Sequence, residues 1–167
     1  VEEIDEYLDQ AFPASGIPGM AVAVVDANGT DYIRTLGDVE SVDSTFVIGS
    51  LSKSMTALAI QQLVDEGLVD LDAPAARYAP GYDVPQSVTV RMLLNQTSGF
   101  GYYESLSKAS VGDSYGQFSY ANANYDLLGR IVESVSGMGY ADYLRENIFD
   151  VAGMGDASVD GVGEAVS

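Results

Sequence analysis

The chain has 167 residues, a length typical of one domain, and 47% of them are hydrophobic, which is enough to build a core. Its 25 Asp and Glu side chains outnumber 7 Lys and Arg side chains, giving a net charge of −18, and it contains no His, Cys or Trp. These absences exclude a Ser-His-Asp triad, a histidine metal ligand, a thiol nucleophile and a zinc–sulfur site. Catalysis by this chain would therefore use Ser, Lys, Tyr or carboxylate groups, and we expect no cofactor.

The acidic charge also restricts the partners of the chain. An acidic surface repels nucleic-acid phosphates and anionic lipid headgroups, so we expect no nucleic-acid partner. The longest apolar run, over residues 19–25, is too short to span a bilayer, and we expect no membrane insertion. Strong acidity with only two lysines is typical of halophilic proteins, because about 1 M salt shortens the Debye length to roughly 3 Å and screens the self-repulsion. An ordinary acidic protein is the alternative.

The first 45 residues are predicted to form a helix and a hairpin. Apolar side chains recur on one helical face over residues 1–12, and the acidic side chains there face largely outward. The apolar run over residues 20–25 predicts a buried strand, and a second strand is expected over residues 31–36. Asn28-Gly29 lies between the two strands and is typical of a hairpin turn.

A helical region is expected over residues 46–152. Apolar residues at three- and four-residue spacing, together with cap and stop residues, predict helices over residues 51–64, 89–95, 124–135 and 140–149. Residues 70–85, rich in Asp, Ala, Tyr and Pro, are expected to form a surface loop, and the tail over 153–167 is expected to be irregular. We interpret residues 1–167 as a single domain.

A Ser-x-x-Lys pattern opens the first helix of this region. In Ser50-Leu51-Ser52-Lys53 the hydroxyl and the amine lie one helical turn apart, on the same face. A desolvated amine can accept the proton of the hydroxyl, and the N–H groups of a helix N-terminus suit an oxyanion. In the alternative interpretation, Ser50 caps the helix and Lys53 is a solvated surface residue.

The same four residues recur at Ser105-Leu106-Ser107-Lys108, so the pattern alone does not decide between these interpretations. The first copy follows a β-branched run and opens a strongly apolar helix. The second copy lies among Tyr, Ser and Gly residues, and no sustained apolar period follows it. We therefore expect the first copy to be catalytic and the second to be a solvated loop.

Tyr120-Ala121-Asn122 is a second candidate for chemistry, because it is the one Tyr-x-Asn among eleven tyrosines. A spacing of two in an extended or turn backbone directs both side chains to the same side. A phenol beside an ammonium ionises more readily and can exchange a proton with a serine hydroxyl. The alternative is a core Tyr followed by an Asn that caps a helix.

Taken together, these motifs resemble the serine β-lactamase-like family, which contains class C β-lactamases, D-alanyl-D-alanine carboxypeptidases, related esterases and D-aminopeptidases. Residues 46–57, which contain the first Ser-x-x-Lys, are similar to the start of the active-site helix of that family. Further matching stretches follow one another in the same order, over residues 17–20, 66–72, 93–99, 118–122, 125–129 and 148–154. The resemblance implies an α+β fold of the β-lactamase/transpeptidase type, with helices packed on an antiparallel sheet.

The resemblance also implies a role for each motif residue. Ser50 would be the acylated nucleophile, Lys53 its proton partner, Tyr120 the general base and acid, and Asn122 the residue that positions Lys53 and the substrate amide. The backbone N–H of Ser50 would form half of an oxyanion hole. The implied activity is that of a penicillin-binding protein-like serine hydrolase, which acts through an acyl-enzyme on a small-molecule or peptide substrate: a β-lactam, a D-alanyl peptide or an ester.

The sequence departs from the family pattern in three places, one of which is the absence of the Pro-Gly that often precedes the Tyr-x-Asn segment. Gln96 stands where the family commonly has His, and we expect this change to affect loop packing with little catalytic weight. No Lys/His-Thr/Ser-Gly motif, which in the family supplies the second oxyanion N–H from a later strand, follows Tyr120. One missing donor costs about 10²–10³ in turnover. We therefore expect this chain to be the N-terminal part of a larger fold, with an incomplete sheet.

Two alternatives to an active hydrolase remain. The chain could be a catalytically incomplete homologue that serves as a binding or interaction module, with self-association or a partner chain covering the sheet edge. A second polypeptide could instead complete the active site. The resemblance favours an extracytoplasmic location. Residues 156–161 mimic the start of a calcium loop, but Ser167 occupies the position of the bidentate Glu, so we expect no metal.

Overall fold

The chain divides into two compact units, Val1–Val47 and Ile48–Ser167. A computed structural model describes residues 2–159 of the chain. The predicted boundary between the N-terminal helix and hairpin and the helical region lies within two residues of this division. The interpretation of residues 1–167 as one domain stays a prediction.

The first unit contains one helix and one hairpin. Helix α1 spans Glu2–Ser15, and strands β1 (Gly19–Asp26) and β2 (Gly29–Gly37) pair antiparallel. Asp26 is opposite Gly29, so the two-residue turn lies one position earlier than the predicted Asn28-Gly29 centre. The Asp26 carboxylate accepts a hydrogen bond of 2.6 Å from the backbone N–H of Asn28, which fixes this turn.

Acidic residues of α1 join the helix to β2. The guanidinium of Arg34 donates hydrogen bonds to the carboxylates of Asp5, at 2.7 Å, and Asp9, at 2.5 Å. The hydroxyl of Tyr32 donates to the same Asp5 carboxylate, at 2.8 Å. Tyr32 and Arg34 are two apart on the strand and Asp5 and Asp9 four apart on the helix, so each pair shares one face. Asp5 and Asp9, whose side chains are predicted to face largely outward, therefore hold α1 against β2.

The prediction that residues 20–25 form a buried strand is correct for the strand and wrong for its burial. Val24 is 39% exposed and Val25 is 66% exposed. A sheet of two strands leaves backbone edges and part of its faces uncovered, and an apolar run alone does not reveal how many strands lie beside it.

The second unit is mainly helical. Its α-helices are α2 (Ser52–Asp65), α3 (Val90–Leu94), α4 (Asn122–Ser136) and α5 (Tyr140–Leu144). Short 3₁₀ turns lie at Gly49–Leu51, Ala75–Arg77 and Leu106–Lys108, and α5 continues as a π-helical segment over Arg145–Phe149. The helices predicted over 51–64, 89–95, 124–135 and 140–149 thus all form, with small differences at their ends.

Residues with matching backbone preferences set the ends of these helices. Gly67 has φ +74° just after α2, and the backbone N–H of Leu68 donates to the carbonyl of Leu63 at 2.9 Å. This is the left-handed arrangement that glycine permits at a helix C-terminus. At the start of α3 the Thr89 hydroxyl accepts from the backbone N–H of Met92 at 3.2 Å, as an N-cap does.

Helix α4 lies at the centre of the core of this unit, because it contacts α2, α3 and α5. The largest fully buried side chains come mainly from these helices: Ile60, Leu63, Val90, Leu93, Leu127, Leu128, Ile131 and Val132. Burial of each such side chain contributes roughly 1.5–3 kcal/mol. A hydrogen bond of 2.6 Å between the hydroxyls of Thr56 and Tyr140 also joins α2 to α5.

The segment over residues 70–85 is predicted to lie at the surface, and this prediction is wrong for part of the segment. Ala75 is fully buried and Tyr78 is 8% exposed. The backbone N–H of Ala75 donates to the carbonyl of Val88 at 2.8 Å, which draws the segment onto the core. Small alanine side chains allow the backbone to approach closely, and they leave no periodic pattern in the sequence.

The tail has the expected irregular structure over residues 153–159, and the rest of it, including the last two residues of the calcium-like stretch over 156–161, lies outside the described residues. Among the helices that the structure describes, none is long and apolar enough to cross a membrane.

Candidate active site

The structure brings the four predicted site residues together in the second unit. The hydroxyl oxygens of Ser50 and Tyr120 lie 2.7 Å apart. The ammonium of Lys53 donates to Ser50 Oγ at 3.3 Å and to Asn122 Oδ1 at 2.7 Å. Residues about 70 positions apart in the sequence thus form one connected group around the serine hydroxyl.

Ser50 lies in the short 3₁₀ turn that leads into α2. Gly49, at φ +52°, begins this turn, and Lys53 follows Ser50 by three residues. Leu51, not Ser50, occupies the N-cap position of α2, and its side chain makes no capping hydrogen bond. The hydroxyl of Ser50 is hydrogen-bonded to Tyr120 and Lys53 instead. Ser50 is therefore not the N-cap of α2, and the alternative interpretation of it as a helix cap is wrong.

Tyr120 and Asn122 reach the same place because of the backbone between them. Ala121 is extended, with φ −141° and ψ 127°, so the side chains on either side of it share one direction. Asn122 is the first residue of α4, which contacts α2 and so brings the amide to Lys53. Tyr120 is 37% exposed, which excludes the alternative of a core tyrosine.

Lys53 and Ser50 act on the Tyr120 phenol. Hydrogen bonding by the Lys53 ammonium is the largest cause that lowers the pKa of Tyr120, the hydrogen bond with Ser50 lowers it further, and the charge of Lys53 adds a smaller effect in the same direction. The Nζ atom also lies 5.0 Å from the centroid of the Tyr120 ring. A lowered pKa means that a larger fraction of the phenol is ionised near neutral pH, and the phenolate is the form that can accept a proton.

The second Ser-x-x-Lys copy forms no comparable group. Its Ser105 hydroxyl lies 2.8 Å from the hydroxyl of Ser107, within an exposed 3₁₀ turn that ends at Lys108. The two copies therefore differ in structure as their sequence contexts predicted.

Two residues near the site were not assigned to it from the sequence. The carbonyl of Tyr102 accepts from the backbone N–H of Asn122 at 2.9 Å, and the Tyr102 ring centroid lies 5.9 Å from that of Tyr120. Gln96 contacts the backbone on both sides of Tyr120. In the sequence Gln96 stands out only as a departure from the family pattern within the matched stretch over residues 93–99, which does not indicate its contacts with the backbone around Tyr120.

Within residues 2–159, no group of three or more acidic, His or Cys side chains is placed to hold a metal ion. The chemistry that the site residues can carry out themselves is proton exchange and nucleophilic attack by a hydroxyl.

Comparison with known protein families identifies one family model. Residues 4–165 match the model described as Beta-lactamase. Penicillin-binding protein 4* of Bacillus subtilis is 36% identical, over 81% of this chain and 37% of the relative. The D-alanyl-D-alanine-carboxypeptidase/endopeptidase AmpH of Escherichia coli is 30% identical, over 93% of this chain and 49% of the relative. The chain thus spans less than half the length of these curated relatives.

Solved structures give the same result for the fold. The octameric penicillin-binding protein homologue from Pyrococcus abyssi matches with a TM-score of 0.78 and 27% identity, over 92% of this chain and 43% of that one. A beta-lactamase/D-alanine carboxypeptidase from Yersinia pestis matches with a TM-score of 0.78 and 28% identity, over 90% and 52%. The predicted fold class is confirmed, with helices and a two-stranded antiparallel sheet in this chain.

Proposed function

Because the chain belongs to the beta-lactamase family, we propose that it is a serine hydrolase that forms an acyl-enzyme on Ser50. The observation that carries this proposal is the 2.7 Å contact between the hydroxyls of Ser50 and Tyr120, with the Lys53 ammonium bonded to Ser50. A nucleophile within hydrogen-bond reach of a base, which a third group orients, is the arrangement that nucleophilic catalysis requires.

Acylation would proceed by transfer of the Ser50 proton to the pair formed by Tyr120 and Lys53. The freed Oγ attacks the substrate carbonyl, and a tetrahedral intermediate forms. Collapse of that intermediate breaks the bond to the leaving amine or alcohol, which takes the proton from the pair, and leaves an ester on Ser50. Water then attacks this ester as the same pair accepts a proton from it, and collapse breaks the bond to Ser50 Oγ, which takes that proton back from the pair.

We assign acceptance of the Ser50 hydroxyl proton to Tyr120 and Lys53 as a coupled pair. Which of the two accepts it in Ser-x-x-Lys enzymes differs between classes and is disputed for some. Here hydrogen bonding by the Lys53 ammonium lowers the pKa of the phenol, which favours Tyr120 as the acceptor. Asn122 holds that ammonium beside the phenol.

We propose an amide or ester bond as the substrate: a β-lactam, a D-alanyl peptide or an ester. The names of the relatives, which include penicillin-binding proteins and a D-alanyl-D-alanine carboxypeptidase, support this class. The sequence has no Lys/His-Thr/Ser-Gly motif after Tyr120 that could supply a second oxyanion donor. We therefore expect turnover by this chain alone to be slower by about 10²–10³ than with such a donor present.

Covalent labelling tests this proposal directly. The full chain is incubated with a penicillin or an activated ester, and the intact mass and the modified peptide are determined. We expect one adduct, on Ser50. Ser50→Ala should abolish it, and the matched variant Ser105→Ala, in the second Ser-x-x-Lys copy, should label like the unmodified chain. Equal labelling of Ser50→Ala would contradict the proposal.

Association with another chain is a second candidate function. Val25 and Ile33 of the two-stranded sheet are 66% and 50% exposed, and uncovered strands favour pairing with another chain. The octameric state named for the Pyrococcus abyssi homologue is consistent with such association. Light scattering of the purified chain tests this candidate, and a monomer at all concentrations would argue against self-association.

A further inference from the structure

Gln96 has an unusual backbone conformation directly beside the candidate site. It follows α3 by two residues, and among residues 2–159 it is the one non-glycine residue with positive φ, at +61°. A side chain disfavours this conformation, which persists where the surrounding contacts hold it in place. Gln96 is also 6% exposed, so its polar groups need partners inside the protein.

The partners of Gln96 are the residues on either side of Tyr120. Its backbone carbonyl accepts a hydrogen bond of 2.9 Å from the N–H of Ser119. Its side-chain Oε1 accepts one of 3.0 Å from the N–H of Ala121. One residue thus holds the backbone both immediately before and immediately after the tyrosine. The left-handed backbone allows this, because it directs the carbonyl and the side chain of Gln96 to the same segment.

A buried polar network supports the side chain of Gln96. The Oε1 atom also accepts a bond of 2.6 Å from the Nδ2 of Asn124, and Asn124 Oδ1 accepts one of 2.5 Å from the Ser98 hydroxyl. Asn124 is 1% exposed and Ser98 is fully buried. A primary-amide oxygen can accept two hydrogen bonds at once, so Gln96 serves Asn124 and Ala121 together.

We propose that Gln96 is a positioning residue for Tyr120, which sets the distance between the phenol oxygen and Ser50 Oγ. This inference rests on the proposed function, and it replaces the expectation that Gln96 only affects loop packing. Ser119 and Ala121 are both bonded to Gln96, and the Tyr120 side chain leaves the backbone between them. A shift of about 1 Å in a reacting group can cost on the order of 10²-fold in rate.

The first test removes the acceptor of Gln96. Gln96→Met has a side chain of similar length without an amide oxygen, and we expect it to slow labelling of Ser50 on the order of 10- to 100-fold. The matched control is Gln62→Met, which loses the side-chain bond to the carbonyl of Asn147 in the same unit but away from Tyr120. We expect this control to label at the rate of the unmodified chain. Equal rates for Gln96→Met and the unmodified chain, or equal slowing in both variants, would overturn the proposal.

A second variant gives a signature that loss of packing alone would not produce. Gln96→His places an acceptor nitrogen at about the same reach, and His tolerates positive φ better than most residues. Above about pH 7.5 we expect labelling faster than in Gln96→Met, because the imidazole nitrogen can replace one of the two bonds that Gln96 Oε1 accepts. As the pH falls below about 6.5, the imidazole protonates and becomes a donor only, so the ratio of the Gln96→His rate to that of the unmodified chain should fall. The chain has no other His, so this titration can be followed on its own by NMR. A ratio independent of pH through that titration would contradict the proposal.

A third measurement separates failure of this inference from failure of the proposed function. The chain is produced with ¹³Cζ-labelled tyrosine, and Tyr120→Phe assigns the resonance of Tyr120. In Gln96→Met the titration of Tyr120 should move up toward the ordinary tyrosine pKa, because the phenol no longer sits beside Lys53 and Ser50; in Gln62→Met it should stay. This readout needs no reaction.

Absence of any Ser50 adduct would reject the proposed function alone, and an unmoved Tyr120 titration in a folded Gln96→Met would reject the positioning role alone. If Gln96→Met fails to fold, Gln96→Asn, which accepts positive φ but is shorter by one methylene, is measured in the same way.

Discussion

Lys53 lies closer to Asn122 than to Ser50. Its Nζ atom is 2.7 Å from Asn122 Oδ1 and 3.3 Å from Ser50 Oγ. The amide of a residue at the start of α4 thus holds the cation of α2 in place, while the serine hydroxyl makes its shorter contact with Tyr120. The position of the charge beside the phenol therefore depends on the contact between two helices.

Asn122→Ala is expected to slow Ser50 labelling by about 10- to 100-fold. A hydrogen bond to a charged group contributes about 1.5–3 kcal/mol, and without it the ammonium is free to move away from the phenol. The measurement is the rate of adduct formation with an activated ester. Asn147→Ala, which removes the side-chain bond to the Tyr143 carbonyl instead, is the control and should label at the original rate.

Tyr120→Phe is expected to reduce the labelling rate by about 10²–10⁴, the range for loss of general acid–base catalysis. The ring and its packing beside Tyr102 remain, so the variant should unfold at the same temperature as the unmodified chain. Tyr103→Phe, which removes a hydroxyl from an exposed neighbouring ring, is the control. Full labelling of Tyr120→Phe would assign the proton transfer to Lys53 alone.

The titration of Tyr120 should depend on Lys53. The Lys53 ammonium and the Ser50 hydroxyl lower the pKa of Tyr120, so the phenolate should form below the ordinary value of about 10. Lys53→Met removes the positive charge, and the midpoint should rise. Lys108→Met, which changes the other lysine of the chain, should leave the midpoint where it was. The ¹³C resonance of the labelled tyrosine gives both midpoints, and an unchanged value in Lys53→Met would contradict this prediction.

Acid should destabilise the unmodified chain more than Asp5→Asn. The hydrogen bond from Tyr32, followed by the contact with Arg34, lowers the pKa of Asp5 in the folded state. A lowered pKa adds stability that is present above the unfolded value of about 3.9 and is lost as the pH falls through the folded value. Urea unfolding at pH 7 and pH 3 measures the difference. Glu6→Gln on the same helix is the control and should behave like the unmodified chain.

Molar KCl should raise the unfolding temperature. The net charge of −18 produces self-repulsion in the folded state, and about 1 M salt screens it over a length of roughly 3 Å. A variant with Glu2, Glu3 and Glu6 changed to Gln carries less negative charge and should gain less from the same salt. An unfolding temperature that does not rise with KCl would reject the halophilic interpretation in favour of an ordinary acidic protein.

The helices could be predicted from the sequence because their apolar spacing and terminal residues are local. The helix predicted over residues 51–64 ends within one residue of α2, and Gly67 stops it. The relation of Ser50 to Lys53 is local as well, because three residues make about one turn. The contact of Tyr120 with Ser50 could be predicted only from the resemblance, since it joins residues 70 positions apart.

Other features depend on contacts that no local pattern encodes. The burial of residues 70–85 arises from backbone bonds such as that between Ala75 and Val88. The exposure of Val25 depends on how many strands lie beside β1. The contacts of Gln96 require a positive φ at a residue that is not glycine, which its residue type does not indicate.

Helix α4 belongs to the core and to the candidate site at once. Its first residue, Asn122, bonds to Lys53, and Leu127, Leu128, Ile131 and Val132 are fully buried a few residues later. A helix with so many buried side chains opens only when the unit as a whole unfolds. Heat should therefore inactivate chemistry at Ser50 and melt the second unit in a single cooperative event, with no earlier stage in which the unit is folded and the serine is inert.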